Sequence, residues 1–394
     1  MNDLLALLLP IIGLGLMYFL LNTIRHVNQV NSIIKVDNAL SKRYPKAVQY
    51  LQIAPYYIYI PCILMSAFFL FQWQSKRQNI RDTHLKIKAI ALSKFDTSNM
   101  HIAPHPLSIK AENNAELILY GRDLIAHTAD YLGPDGIVKP ISNGMNCQNC
   151  HLQAGSLPLG NNYMAVAATY PKFRARSGTA ETIYKRVNDC FQRSLNGQEL
   201  DSTSREMLAI EAYIKWLGQA VPKGKTPKGA GLMKLKYLNR AANPDSGKVV
   251  FTLKCQSCHG ADGQGLPMPE GNGRMYPPLW GNKSYNEAAG LYRLSAFAGY
   301  IKANMPFGAS YDNPQLSDSE AWDLAAYVNS QPRPKHPFLK IDWPKIEGKP
   351  IDHPFGPFAD TFPEVQHKFG PFQPIVDFQK VMKDKKTNTP SVLK

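Results

Sequence analysis

The first 75 residues carry a hydrophobic pattern unlike the rest of the chain. Positions 4–24 hold no charged side chain and are dominated by Leu and Ile, about the 20 residues a bilayer crossing needs. A second uncharged stretch runs from Ala47 to Ser75, with its apolar centre at Ile58–Phe71. Tyr56, Tyr57, Tyr59 and Trp73 flank that centre, as suits a membrane interface. Pro55 and Pro61 bend such a helix without breaking it. The pattern predicts two transmembrane helices, at about 4–24 and 50–73, in a membrane region over 1–75. A cleaved signal peptide competes for the first run, but it would open with positive charge and Met1-Asn2-Asp3 has none. Arg25, Lys35, Lys42, Arg43 and Lys46 lie between the runs, and Lys76, Arg77 and Arg81 follow them. Charge bias alone therefore leaves the orientation open.

Further on, the pattern turns amphipathic. Ala115–Tyr131 has a helical period with Leu117, Ile118, Leu124 and Ile125 on one side, and Gly133-Pro134-Asp135-Gly136 stops it. Thr203-Ser204-Arg205-Glu206 reads as a capping box before an apolar helix through Ala212, Tyr213, Ile214 and Trp216. Ser317-Asp318-Ser319-Glu320 opens a second one, with Ala326, Tyr327 and Val328. Upstream of each closing helix lies one CxxCH: Cys147-Gln148-Asn149-Cys150-His151 and Cys255-Gln256-Ser257-Cys258-His259. This is an internal duplication, with Pro, Lys and Gly of Val221–Gly231 marking the join. The expected organisation is mainly α, with one domain over 76–222, a linker over 223–243 and a second domain over 244–332. Residues 333–394 are rich in Pro and Phe and are expected as an irregular wrap.

CxxCH is the attachment motif of c-type haem: two thiols form thioethers and the adjacent His reaches the iron. Zinc sites also use C-x2-C pairs, but closer together and without a His directly after each. Disulfides would make that His a coincidence. Two covalently attached haem c groups are expected, on Cys147 and Cys150 and on Cys255 and Cys258, with His151 and His259 as iron ligands. Haem c is attached outside the cytoplasm. That orients the chain with both termini outside, anchored in an inner membrane with its haem domains on the periplasmic side.

A second ligand is sought for each iron. Met305 in IKANMPFG is the candidate in the second domain, since thioether sulfur commonly partners His in electron-carrying haems. Met268 and Met275 are alternatives. The first domain has no methionine so placed, Met164 and Met207 lying elsewhere. It offers instead Cys190, in NDCFQRSLNG, with Arg176, Lys185, Arg186 and Arg193 nearby in sequence. Of the Cys 6 in the chain, the CxxCH motifs use all but Cys62, in the second membrane run, and Cys190. From the residues alone Cys190 is either an inert buried thiol or a thiolate on iron.

The formal net charge of +15 suits an anionic substrate, an acidic partner or a membrane surface. Basic residues are dispersed rather than clustered in a stripe, so nucleic acid is not expected.

Together NCQNCHLQAG, YPKFRARSGTAETIYKRVNDCFQRSLNG, PPLWG and ANMPFG, between Ala115 and Gln331, resemble the dihaem thiosulfate dehydrogenases of the TsdA type. These periplasmic enzymes join two thiosulfates into tetrathionate. The first domain is similar to SoxA cytochromes and the second to class I cytochrome c. The resemblance implies Cys190 as the second ligand of haem 1, with Arg176, Arg186 and Ser194 binding substrate, and His259 with Met305 on haem 2. Some relatives carry a lysine beside the axial methionine; Asn304 stands here, so no ligand switch is expected. The membrane helices depart from the family pattern.

The chemistry fits an arginine-lined site. Two dianions at ~4 Å repel by roughly 16 kcal/mol at an effective dielectric near 20, and guanidinium grips oxyanions in a bidentate manner. Arg174, Lys185 and Arg193 are weaker candidates, since surface cations are usually only solvated. The expected function is thiosulfate oxidation to tetrathionate or its reverse, electrons passing from haem 1 to haem 2. The acceptor would be a soluble cytochrome, a membrane oxidase or a quinone complex. A non-enzymatic dihaem relay linked to such a complex is the alternative, and a SoxA-like sulfurtransferase partner is weaker still.

Overall fold

The protein is described by a computed structural model that covers residues 100–388 and, before them, single positions and short stretches between 18 and 78. The chain divides into one unit over Met1–Ile90 and another over Ala91–Lys394. In the first unit, the expected span 4–24 lies outside the described residues except at Tyr18, Asn22 and Ile24. Of the second expected span, residues 63–73 and the single positions Tyr50, Tyr57, Ile60 and Pro61 are described, all helical. No helix among the described residues is long and apolar enough to cross a membrane.

The second unit is built on a repeated helix crossing. Helix α1 (Ala115–Ala126) packs on α3 (Arg205–Leu217), and further along α4 (Pro244–Lys254) packs on α6 (Asp318–Ser330). Each crossing is so tight that it admits only glycine. A Cβ on Gly121 would lie 1.9 Å from the Ala209 carbonyl oxygen, and one on Gly247 would lie 1.9 Å from that of Asp323. The same contact made twice is the structural form of the duplication seen in the sequence. Between the crossing helices run α2 (Ile183–Arg193) in the first half and α5 (Leu294–Asn304) in the second.

Helix ends follow their caps. Ser317 accepts from the Glu320 N–H while Glu320 accepts from the Ser317 N–H, so the second expected capping box is made. The first is not. Ser204 rather than Thr203 caps α3, and Glu206 accepts instead from the Tyr120 hydroxyl at 2.8 Å, tying α3 to α1. The predicted helix over Ala115–Tyr131 breaks at His127, with a short turn over Thr128–Leu132 beyond it.

Two small antiparallel hairpins complete the scaffold. Strand β1 (Lys172–Arg174) pairs with β2 (Thr179–Glu181), Lys172 opposite Glu181. Strand β3 (Leu266–Pro267) pairs with β4 (Arg274–Tyr276). The segment after residue 332 is extended with single 3-10 turns, then forms helices over Glu364–Phe369 and α7 (Gln373–Asn388). It was expected to be irregular, and these helices are the difference. Ile375 of α7 is buried in the main core, which gives this helix the partner its sequence alone does not reveal.

Candidate functional site

Three stripes along α2 do different work. Ile183 and Phe191 are buried and anchor the helix. Lys185, Asp189 and Arg193 recur at the helical spacing and pair: Lys185 Nζ and Arg193 Nη1 both reach Asp189 Oδ1, at 2.8 and 2.7 Å. Asp189 is driven upward by burial, but Arg193 and Lys185 outweigh that and hold it below the ordinary aspartate value. Arg186, Cys190 and Ser194 share the third stripe. All three are half-buried, and Ser194 caps the helix with its N–H donating to the Cys190 carbonyl at 2.8 Å. Two of the weaker candidate cations, Lys185 and Arg193, are thus already matched by Asp189.

Cys190 faces the first CxxCH. A negative charge on it is felt at Cys147, Cys150 and Tyr163. A thiolate there would be the largest influence on Arg186, raising its guanidinium above the usual range despite burial. Arg186 is felt in turn at His151 and at Tyr170. Cys190, Arg186 and the CxxCH therefore converge, with the two tyrosines around them. The sequence reading missed both tyrosines; Tyr163 stacks on the His151 ring at 4.4 Å.

Arg176 lies in the β1–β2 turn, within electrostatic reach of Arg186. Its Nη1 donates to Ala288 O in the second half of the chain at 2.8 Å, and its Nε lies 3.9 Å from Asp342. Burial first, then Arg193, lowers it to about 10, so it is cationic at neutral pH. Arg174 faces Glu181 across the hairpin at 3.8 Å.

Both motif histidines are set for a metal. His151 Nδ1 lies 2.5 Å from the Asn161 carbonyl and His259 Nδ1 lies 3.0 Å from that of Pro277. A carbonyl only accepts, so Nδ1 carries the proton and Nε2 keeps its lone pair. Burial lowers His151 to about 4 and lowers His259 too, which keeps both rings neutral. No disulfide joins the five described cysteines, and no three acidic, Cys or His side chains among the described residues could hold a bare ion. Cys190 stands apart from Cys147 and Cys150 yet within electrostatic reach. That arrangement fits a broad, flat group better than a single ion.

In the second half, Met305 directly follows α5, half-buried against the core that also takes Cys255. Met268 and Met275 are 40% and 45% exposed, beside and on the β3–β4 hairpin. Helix α5 also bridges the two halves: Tyr300 donates to the Asn149 carbonyl inside the first CxxCH at 3.0 Å, and Asn304 donates to the Leu159 carbonyl at 3.1 Å.

A twice-made helix crossing around paired CxxCH motifs defines a tandem c-type cytochrome. Comparison with known families agrees: residues 138–222 match the SoxA/TsdA cytochrome c domain and residues 244–332 match cytochrome c. The chain carries two covalently bound haem c groups. It belongs to the thiosulfate dehydrogenase family. It is 37% identical over 223 residues to the thiosulfate dehydrogenase of Allochromatium vinosum, covering 56% of this chain and 79% of that one. Its identity to the thiosulfate dehydrogenase of Psychrobacter arcticus is 41% over 205 residues, or 52% of this chain and 61% of the relative. Among solved structures, thiosulfate dehydrogenase (TsdBA) from Marichromatium purpuratum, in its as-isolated form, superposes with a TM-score of 0.56 at 29% identity. That match covers 61% of this chain and 51% of the other.

Proposed function

We propose that this chain oxidises two thiosulfates to tetrathionate at a site formed by Cys190, Arg186, Arg176 and Ser194. The observation that carries the reading is the convergence of Cys190 and Arg186 on the first CxxCH. Cys147 and Cys150 would hold one haem with His151 and Cys190 as ligands. Cys255 and Cys258 would hold the other with His259 and Met305, whose half-buried place supports it over the exposed Met268 and Met275. When bound, the two haems supply one-electron redox capacity near each other.

The residues account for the rest. Joining two thiosulfates forms one S–S bond and releases two electrons, with no proton required. The obstacle is repulsion between dianions, which Arg186 beside Cys190 and Arg176 at the hairpin turn offset. A Ser194 hydroxyl one helical turn from Cys190 is spaced to donate to a sulfonate oxygen. Tyr163, stacked on the half-buried His151 ring, would cover one side of the site. As a ligand, the Cys190 thiolate would lower the reduction potential of the first haem, thiolate being strongly electron-donating. Contact of α5 with Asn149 supports electron passage between the halves and on to an external acceptor.

Membrane anchoring and a periplasmic site belong to the same proposal. Their support is the uncharged runs at 4–24 and 50–73, and the helical stretch in which Ile63, Leu64, Phe68, Leu70 and Phe71 are all exposed. A helix apolar around its circumference seeks lipid or a partner.

Purified holoprotein should reduce ferricyanide with thiosulfate, yielding one tetrathionate per two electrons. Absence of turnover in either direction, with reduction by a membrane partner, would establish the relay instead.

A further inference from the structure

Residues 333–388 lie beyond both matched domains, yet part of this segment closes on the turn that carries Arg176. Trp343 N–H donates to the Arg176 carbonyl at 2.7 Å. Pro344 fills the space over Gly178, where a Cβ would come within 2.6 Å of the proline ring, and Gly348 abuts Ala175. Gly178 has a φ of +69, so the turn also needs glycine for its backbone.

We propose that Asp342 and Trp343 are positioning residues that aim Arg176 at the anionic substrate. The inference rests on the thiosulfate reading above. Arg176 Nη1 is taken by the Ala288 carbonyl at 2.8 Å, Nε faces Asp342 at 3.9 Å, and the Trp343 ring covers the guanidinium at 5.4 Å. No hydrogen bond engages Nη2 among the described residues. A planar fork hydrogen-bonded at Nη1, facing a carboxylate at Nε and covered on one face presents its Nη2 edge to a ligand.

Asp342 does more than touch Arg176. It also accepts from Arg193 Nη2 at 2.8 Å, while Asp189 holds Arg193 from the other side. One carboxylate therefore keeps two neighbouring guanidiniums from repelling each other apart. Its single charge is divided between the two. Arg176 Nε and Asp342 Oδ2 face each other shielded from solvent but without a hydrogen bond, and Arg193 Nε and Trp343 Nε1 are likewise buried without one. Buried polar atoms left without partners are rare and call for a reason beyond packing. Trp343 itself sits at a φ of +65, a costly conformation for a bulky residue. One carboxylate shared between two guanidiniums leaves net positive charge at the turn for an anion.

The test uses the haem-loaded protein and its Asp342→Asn, Asp342→Glu and Trp343→Leu variants. Haem content and melting temperature report folding; thiosulfate titrations with ferricyanide give KM and kcat. Asp342→Asn and Trp343→Leu should raise KM for thiosulfate about tenfold, the scale of one charge-assisted hydrogen bond. Their kcat should stay within about twofold of the wild type, and Asp342→Glu should recover most of the KM. If Asp342→Asn fails to load haem, Trp343→Leu decides alone. An unchanged or lowered KM in an active, loaded protein overturns the inference and leaves the functional reading standing, as does a kcat that falls only with haem content. A wild-type protein inert toward thiosulfate overturns both.

Discussion

Cys190 draws its chemistry from neighbours at two spacings. At four residues either way stand Arg186 and Ser194, both legible from NDCFQRSLNG as one helical face. The adjacent stripe of Lys185, Asp189 and Arg193 is equally regular, and its pairings could have been read from the i, i+4 rule; attention to positive charge alone concealed the aspartate between them. Asp342 was not legible, because it meets Arg193 from 149 residues away in a segment without periodicity. Two expectations follow at this scale. Arg186→Lys should lower kcat/KM for thiosulfate by about 100-fold with haem content intact, since an ammonium lacks the guanidinium fork; steady-state kinetics check it. Asp189 has its folded value lowered from 3.8, so the stability it contributes is present at neutral pH and lost as pH falls below that range. Asp189→Asn should cost about 3 kcal/mol at pH 7 by leaving Arg193 short of a partner, and should flatten the acid dependence of the melting temperature as pH falls through and below the ordinary aspartate value of 3.8.

The elements were legible where local chemistry sets them. Capped closing helices, paired CxxCH motifs and the stop at Gly133 all appear in the structure because each depends on a few adjacent residues. Errors arose where tertiary contacts intervene: Tyr120 takes Glu206 away from its capping box, and α7 is fixed by burial of Ile375 in a core its own segment does not contain. The helix crossings were invisible for the same reason. Nothing in DSGKVVF or AELILYGRD says that Gly247 or Gly121 faces a carbonyl on another helix. Gly121→Ala and Gly247→Ala should each destabilise the protein by about 3 kcal/mol through overpacking. Thermal melts monitored at the haem absorbance test this; an unshifted melting temperature would show that the crossing can open without cost.

For the whole molecule, the duplication was readable as two motif-and-helix units, whereas their mutual contact was not. Helix α5 joins them through Tyr300 and Asn304, and the second of these explains a family departure. Asn304, standing beside Met305, has its amide tied to the carbonyls of Leu159 and Tyr300. It is therefore a cross-domain tether. Lys302, the nearest lysine in sequence, is held by the Leu316 carbonyl at 2.5 Å and by Asp318 at 3.0 Å. Both observations fit a fixed ligand set at the second haem. The membrane proposal belongs to this scale as well: the full-length protein should sediment with membranes, resist a high-salt wash and need detergent for release. Release by salt alone would reject the two spans.

The central claim is that Cys190 makes thiosulfate chemistry possible at the first haem. Its most direct test is Cys190→Gly in the purified protein, comparing thiosulfate-dependent reduction of ferricyanide with the covalent haem content. The account predicts two haems per chain, as in the wild type, and turnover reduced to background. Wild-type turnover in the fully haem-loaded variant would contradict it.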